Sequence, residues 1–429
     1  MRKWIALGTV LAGLCACEQD QSTEPLSWSS QAVEDAWTFL DWFLVFRERL
    51  PAEPMAYETP PELYASVREP YTVYYTHPQA EVLVSLLTSE TVDAGVHLDS
   101  VRYGAAVLEV YAGSPAEAAG IRVGDTILSV NGVSCAGQPV DTVLEWLTGA
   151  PGERLQLAVW RSTGQVAITV VLAAYLAPTV FTDSLDSAVA YVALSGFFDE
   201  TPDIAGSAGE FHAALARTAW ARYTIVDLRD NPGGYVTQCL RIAGEFVPLG
   251  TAVVRTTERQ VFEGVPGDET SWYGATVDTV LRTDYAGIAQ ARRCYVLVDS
   301  MTASASEILL SCLHDYRALD VTSVGTVTYG KGRGQVILGY DWDLEEYQLT
   351  DGGMARITSM LLTPVAGAPY DMVGIMPHVL IQPGQDALDT TLVMISRELG
   401  RPLAKSSLAG AVPAPRRAGP REPLLIDDR

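Results

Sequence analysis

At 429 residues the chain exceeds what one hydrophobic core usually serves, and with 48% of its residues apolar it has ample side chain to bury in two or three domains. Its formal charge of -23 argues against a nucleic-acid partner, because binding a polyanion needs clustered Lys and Arg to displace counterions. Of its 29 basic residues only Lys3, Lys331 and Lys405 are lysine, and the first and last fall in a leader and a tail, so Lys331 is the one lysine of the folded body.

Residues 1–17 read as an export signal, with Arg2 and Lys3 as the charged start and a short apolar run over 4–14 that cannot span a bilayer as a mature helix. Leu14-Cys15-Ala16-Cys17 resembles the bacterial lipobox. That resemblance implies cleavage before Cys17, acylation of its thiol and attachment to a membrane; a simple secreted protein is the alternative. Glu18, not Asp, follows the anchor, which implies an exported lipoprotein of the cell envelope, on an outer membrane facing the periplasm. The cysteines at 135, 239, 294 and 312 have no short-spaced framework and are expected as single buried thiols. Five histidines without ligand spacing, and no CxxC or HExxH pattern, give no reason to expect a metal or other cofactor.

After a linker from residue 18, Val33, Trp37, Leu40 and Leu44 recur at helical spacing over 28–50, predicting a small helical N-terminal region to about residue 83. From 84 to 176 the pattern turns to strands. Gly113-Ser114-Pro115-Ala116-Glu117-Ala118-Ala119-Gly120-Ile121, then Gly124-Asp125-Thr126-Ile127-Leu128-Ser129-Val130-Asn131-Gly132, predicts a short helix between two strands and an Asn-Gly hairpin turn. This resembles a PDZ domain over most of that domain's length. The resemblance implies that Gly95, Val96, His97 and Leu98 form the loop that holds a peptide's C-terminal carboxylate, and that the peptide adds as an edge strand.

From 177 to 400 strand and helix alternate: strand Val189–Leu194, a helix over 206–219, a strand over 223–228, a Gly-Gly turn, a helix to about Val247 and a strand over 294–298. The rhythm predicts an α/β core. Residues 401–429, rich in Pro, Ala and Arg, read as a disordered tail.

Three elements carry chemistry. In Asp299-Ser300-Met301-Thr302-Ala303-Ser304-Ala305-Ser306-Glu307 a strand feeds a helix, whose N-terminus offers free amides and partial positive charge to an anion. Ser304 and Glu307 also fit a capping box that requires no catalysis. Gly330-Lys331-Gly332, after a strand-like run over 321–328, pins a lysine between glycines. As a general base it must be neutral, its pKa lowered from roughly 10.4 toward 7 or 8 at a cost of about 4 kcal/mol. Arginine cannot lose its proton in this way, so a lone lysine in an arginine-rich body points to function rather than to a solvated loop. Asn231-Pro232-Gly233-Gly234 brings paired glycines whose amides can approach a carbonyl, though an ordinary turn would look the same.

Together these resemble the C-terminal processing peptidases, or tail-specific proteases, of serine peptidase family S41, from Asp227-Leu228-Arg229-Asp230-Asn231-Pro232-Gly233-Gly234 through Thr302-Ala303-Ser304-Ala305-Ser306-Glu307 to Tyr329-Gly330-Lys331-Gly332-Arg333-Gly334-Gln335. The resemblance implies an α/β fold with a ClpP/crotonase-like catalytic core over 177–400, joined to the PDZ domain and the helical N-terminal region. It implies a serine endopeptidase that cuts exported proteins near unstructured C-termini without a cofactor. Ser304 would be the nucleophile, Lys331 its base, Gln335 the group that orients the lysine, and the amides of Gly234 and Ala305 the oxyanion hole. Two departures stand out. The Ser304-to-Lys331 interval is about two residues longer than the family's, with the surplus near 319–322, so matching by distance alone would select Ser306; and Pro377-His378 stands where the family commonly has Pro-Asp. A catalytically inactive PDZ-containing peptide-binding scaffold is the first rival. A Ser-His-Asp hydrolase is the second, but His314 lies ten residues along the same helix from Ser304, about 15 Å by helical rise.

Overall fold

The structure is a computed structural model describing residues 30–77, 79–80, 89–265, 268–290, 292–316, 320–339, 349, 351–403 and 424–426. The leader and Cys17 lie outside them. The described residues fall into two compact units, one from 89–226 with 392–403, the other from 30–80, 227–391 and 424–426.

In the first unit, the strands Val96–Val101, Gly104–Val110, Thr126–Val130, Arg154–Arg161 and Gly164–Val171 form one sheet in that order. The expected turn chemistry is present. Ser114 caps the short helix Pro115–Ala118 by accepting from Glu117 N at 3.2 Å, and the Glu117 carboxylate takes Gly113 N at 2.7 Å. Asn131 and Gly132, at φ 49° and 81°, close a two-residue hairpin between Thr126–Val130 and Val133–Ser134. Alternate residues Leu155, Leu157 and Val159 point inward to meet Val107, Ile127, Val143 and Leu147, each buried aliphatic side chain contributing about 1.5–3 kcal/mol. The same unit holds the antiparallel pair Val180–Asp186 and Val189–Leu194; the latter is buried at every residue, which explains its unbroken apolar sequence.

The second unit contains two layers of strands. Arg293–Val298, Val321–Gly325 and Val379–Leu380 run parallel, and the first two are connected across the helix Ala305–Asp315, as parallel strands require. That crossover places the helix N-terminus just beyond the C-terminal end of Arg293–Val298. Residues 305–313 are all buried in the helix, which packs on the helix Val236–Phe246. The expected strand over 321–328 ends at Gly325, whose φ of 151° and closeness to Val298 O (1.8 Å from an added Cβ) turn the chain toward the Lys331 loop.

The other sheet centres on Met354–Thr363. One of its edges pairs with Arg333–Leu338; the other pairs with Val73–Tyr75 and Ala252–Val265 end to end. Helices Ser30–Phe43 and Pro60–Val67 cover it through Val33, Leu40, Leu63 and Tyr64, with Leu44 just past the first helix and Trp37 packed at the margin. The N-terminal region is thus helical at first, as its periodicity predicts, but it also contributes a strand. Leu424–Ile426, within the stretch expected to lack structure, forms a parallel strand between Gly233–Tyr235 and Arg333–Leu338.

Candidate active site

Every residue of the candidate centre belongs to the second unit. After the strand Arg293–Val298 the Asp299 Oδ1 atom accepts from Asp230 N, Met301 N, Thr302 N and Thr302 Oγ1 at 2.9–3.2 Å, folding the chain into a tight corner. Burial pushes this carboxyl above its usual range. At the corner Ser304 adopts φ 61° and ψ -117°, a conformation that costs a non-glycine residue roughly 1–3 kcal/mol and tends to persist where function holds it. Its side chain is fully buried, and Oγ has no hydrogen-bond partner among the described residues. The capping box is therefore half realised: Glu307 reaches back to Ser304 N at 2.9 Å, but Glu307 N donates to the Ser304 carbonyl at 2.8 Å and leaves the hydroxyl unused.

Glu307 is the hub of the site. Its Oε2 accepts from Ser304 N and from Lys331 N (2.8 Å); its Oε1 accepts from Gly330 N (2.7 Å) and Thr328 Oγ1 (2.5 Å). Two loops 27 positions apart by residue number thus share one carboxylate oxygen. Burial pushes the Glu307 carboxyl upward, opposed by these four donors. Lys331 is 1% exposed; its Nζ donates to Gln335 Oε1 at 2.7 Å and lies 4.9 Å from the centroid of the Tyr71 ring. Gln335 is fixed in turn by its Nε2, which donates to Arg333 O at 3.1 Å. Glycine is required on the N-terminal side of the lysine: Gly330 sits at φ 88°, and an added Cβ would come within 2.6 Å of Gly374 N.

The Gly-Gly turn is tied to the same corner. Asn231 O accepts from Ala303 N at 3.0 Å and from Ser306 Oγ at 3.2 Å, while Asn231 Oδ1 accepts from Gly233 N at 2.9 Å. Ser306 is thereby committed to holding the two loops together. Gly233 and Gly234 take φ of 103° and 143°, open only to glycine. Ala305, first residue of the helix, has an amide that the helix itself cannot satisfy.

Ser304 and Lys331 therefore lie in loops joined by Glu307, Ala305 follows Ser304 at the helix start, Asn231 ties the Gly234 turn to the same corner, and Gln335 reaches Lys331 from the adjoining strand. The residues expected as a PDZ carboxylate loop lie in the first unit, at the start of the strand Val96–Val101. Gly95 N donates to Asp93 Oδ1 at 2.6 Å, Val96 and Leu98 are buried in the sheet core, and His97 pairs across from Glu109. His314 does not turn to Ser304; its Nε2 is 2.9 Å from Ser323 Oγ, and its ring centre lies 4.1 Å from that of His378, the two rings tilted by 47°. His378 Nδ1 also accepts from Ser323 N, so the departure at Pro377-His378 completes a small His-Ser-His cluster. Tyr71 and Thr328 carry no sequence signal. Arg333, inside the lysine motif, has a structural role that the motif does not signal: it bridges Glu69 at 2.9 Å and Asp371 at 3.0 Å. Cys135, Cys239, Cys294 and Cys312 are free and buried. Among the described residues no group of three or more His, Cys, Asp or Glu converges as metal ligands.

Against known proteins, residues 188–381 match the model of peptidase family S41 and residues 107–161 that of a PDZ domain. The chain carries an S41 peptidase domain and a PDZ domain. The S41 match takes in the Asn231, Ser304 and Lys331 loops. The carboxy-terminal processing protease CtpA of Bacillus subtilis is 26% identical over 317 residues, covering 73% of this chain and 61% of that protein. A probable CtpA-like serine protease of Staphylococcus epidermidis is 26% identical over 319 residues, covering 73% and 58%. The chain thus spans about three fifths of the length of these curated relatives. A carboxyl-terminal-processing protease of Picosynechococcus is 29% identical, covering 85% of this chain and 83% of its own. Among solved structures, a putative S41 protease from Bacteroides fragilis superposes with a TM-score of 0.52 at 16% identity, covering 89% of this chain and 100% of that one, a likeness of fold.

Proposed function

We propose that the chain is a serine endopeptidase working by a Ser-Lys mechanism. The observation that carries this reading is a buried lysine and a buried serine hydroxyl, without a partner among the described residues, whose main-chain amides share one oxygen of Glu307. Lys331, in its neutral form, takes the proton of Ser304 Oγ; the oxygen attacks a peptide carbonyl; and the amides of Gly234 and Ala305 hold the developing oxyanion. Lys331 then protonates the departing amine, and water releases the acyl group. Lysine and serine are not directly hydrogen-bonded here, Nζ being turned to Gln335, but the four-carbon stem can swing, and such contacts commonly tighten only on substrate binding. Ser304 is favoured over Ser306 because the latter's hydroxyl already donates to Asn231 O.

The substrates in this reading are protein segments that are unstructured near their C-termini. The strand Val96–Val101, which ends the sheet order of the PDZ region, offers the edge on which such a segment would add. Export and a lipid anchor at Cys17 rest on residues 1–18 alone, and membrane fractionation of a Cys17→Ser chain tests them. The peptidase itself is tested by casein digestion. Ser304→Ala should abolish cleavage while leaving the circular dichroism unchanged, whereas Ser306→Ala should keep measurable turnover. Activity retained by Ser304→Ala would favour the inactive scaffold with a contaminating protease, and loss in Ser306→Ala alone would move the nucleophile.

A further inference from the structure

The strand Gly233–Tyr235 is joined to the rest of its sheet through Leu424–Ile426, which lies between it and Arg333–Leu338. Gly233 registers with Leu424, Gly234 with Leu425 and Tyr235 with Ile426, and on the opposite edge Gln335 registers with Ile426, all in parallel. Without this segment, two strand edges would face each other across a gap of one strand width, their amides and carbonyls unpaired. These are the edges that carry Gly234 and Gln335. An extended peptide entering the gap would have its carbonyls brought beside the proposed oxyanion amide, as main-chain pairing of an added strand requires.

We infer that this gap is a peptide-strand site and that the chain's own C-terminal segment is its resident ligand, which substrate must displace. The inference rests on the reading of Ser304, Gly234 and Gln335 as the reaction centre. The sequence suits a short occupant. Pro423 has no N–H to extend the pairing upstream, Leu-Leu-Ile favours an extended backbone, and Asp427-Asp428 follows it. Three registered pairs on one side and one on the other make a contact that a longer peptide can outcompete. Because the ligand is tethered, its occupancy does not depend on protein concentration.

The test uses the full chain with Ser304→Ala, so that nothing is turned over, with and without Leu425→Pro, which removes an N–H at the centre of the segment. A fluorescein-labelled peptide of residues 422–429, amidated at its C-terminus to prevent carboxylate recognition by a PDZ domain, is titrated by anisotropy. If the tail leaves the gap open a tenth of the time, the peptide should bind the Leu425→Pro chain about tenfold more tightly. In the Ser304 chain, Leu425→Pro should lower KM for casein several-fold with kcat unchanged, and Ile426→Pro should reproduce this. Equal peptide affinities, or no binding to either chain at millimolar peptide, overturn the inference, and so does an unchanged KM. The two readings fail separately: casein uncut while the peptide discriminates sinks the peptidase alone, and casein cut with equal peptide affinities sinks the resident ligand alone.

Discussion

In the proposed mechanism Lys331 carries the proton transfer. Its Nζ has a neutral amide oxygen as a partner in Gln335 Oε1 and an aromatic face in Tyr71. Burial keeps the amine away from bulk water. Arginine at this position separates two roles that lysine combines. It would keep a positive charge, a donor to Gln335 and an aromatic contact, but it could not give up a proton. Lys331→Arg should therefore lower kcat on casein by about 10²–10⁴, the usual contribution of a general base. Lys331→Met should fall equally far. If the arginine chain retained near-normal kcat, Lys331 would be a structural cation and the base would have to be sought elsewhere.

At the scale of elements, one side chain joins the helix Ala305–Asp315 to the lysine loop. All four contacts of Glu307 are donors to it, two on each oxygen. Glutamine has nearly the same shape, but its NH₂ must face one pair of donors and leave both without an acceptor, at about 1–3 kcal/mol each. Glu307→Gln should thus destabilise the chain by roughly 2–5 kcal/mol in urea unfolding and lower kcat as the Ser304 corner loosens. A change below 1 kcal/mol would show that the carboxylate does not hold the loops. Much of this element was legible in the sequence. The S-x-x-E spacing announces the reach of Glu307 back to Ser304 N, and the glycines announce turns open to them alone. The sequence could not reveal that Ser304 would take a positive φ and so free its hydroxyl from capping, because that conformation is imposed by Asn231, Asp299 and Glu307 together. Tyr71 was invisible for a related reason: it meets Lys331 across 260 residues without a motif. Leu424–Ile426 was hidden by composition, three apolar residues amid Pro and Arg, and a parallel strand held from both sides needs no periodicity of its own.

For the whole molecule, the response to acid is set by groups that burial shifts in opposite directions. The carboxyls of Asp93, Glu210 and Asp299 are pushed upward, so their protonated forms favour the fold and acidification does not penalise it through them. Asp186, held down to about 2 by its hydrogen bonds with Arg401, acts in the opposite sense, and only at low pH. His314 acts in between. Burial and the neighbouring His378 lower its pKa to about 4, against about 6.5 in an unfolded chain. Between those two values the unfolded chain binds a proton that the folded chain refuses. The stability due to a neutral His314 is therefore complete above pH 6.5 and lost as pH falls toward 4, a loss of about 3 kcal/mol. Glutamine at 314 can still reach the Ser323 hydroxyl but does not titrate. Urea unfolding at pH 7 and pH 4 should show wild type losing about 3 kcal/mol more than His314→Gln, by the same conversion from pKa shift to free energy. Parallel losses in the two chains would mean that the acid limb belongs to the carboxyls and that the His-Ser-His cluster has no part in it.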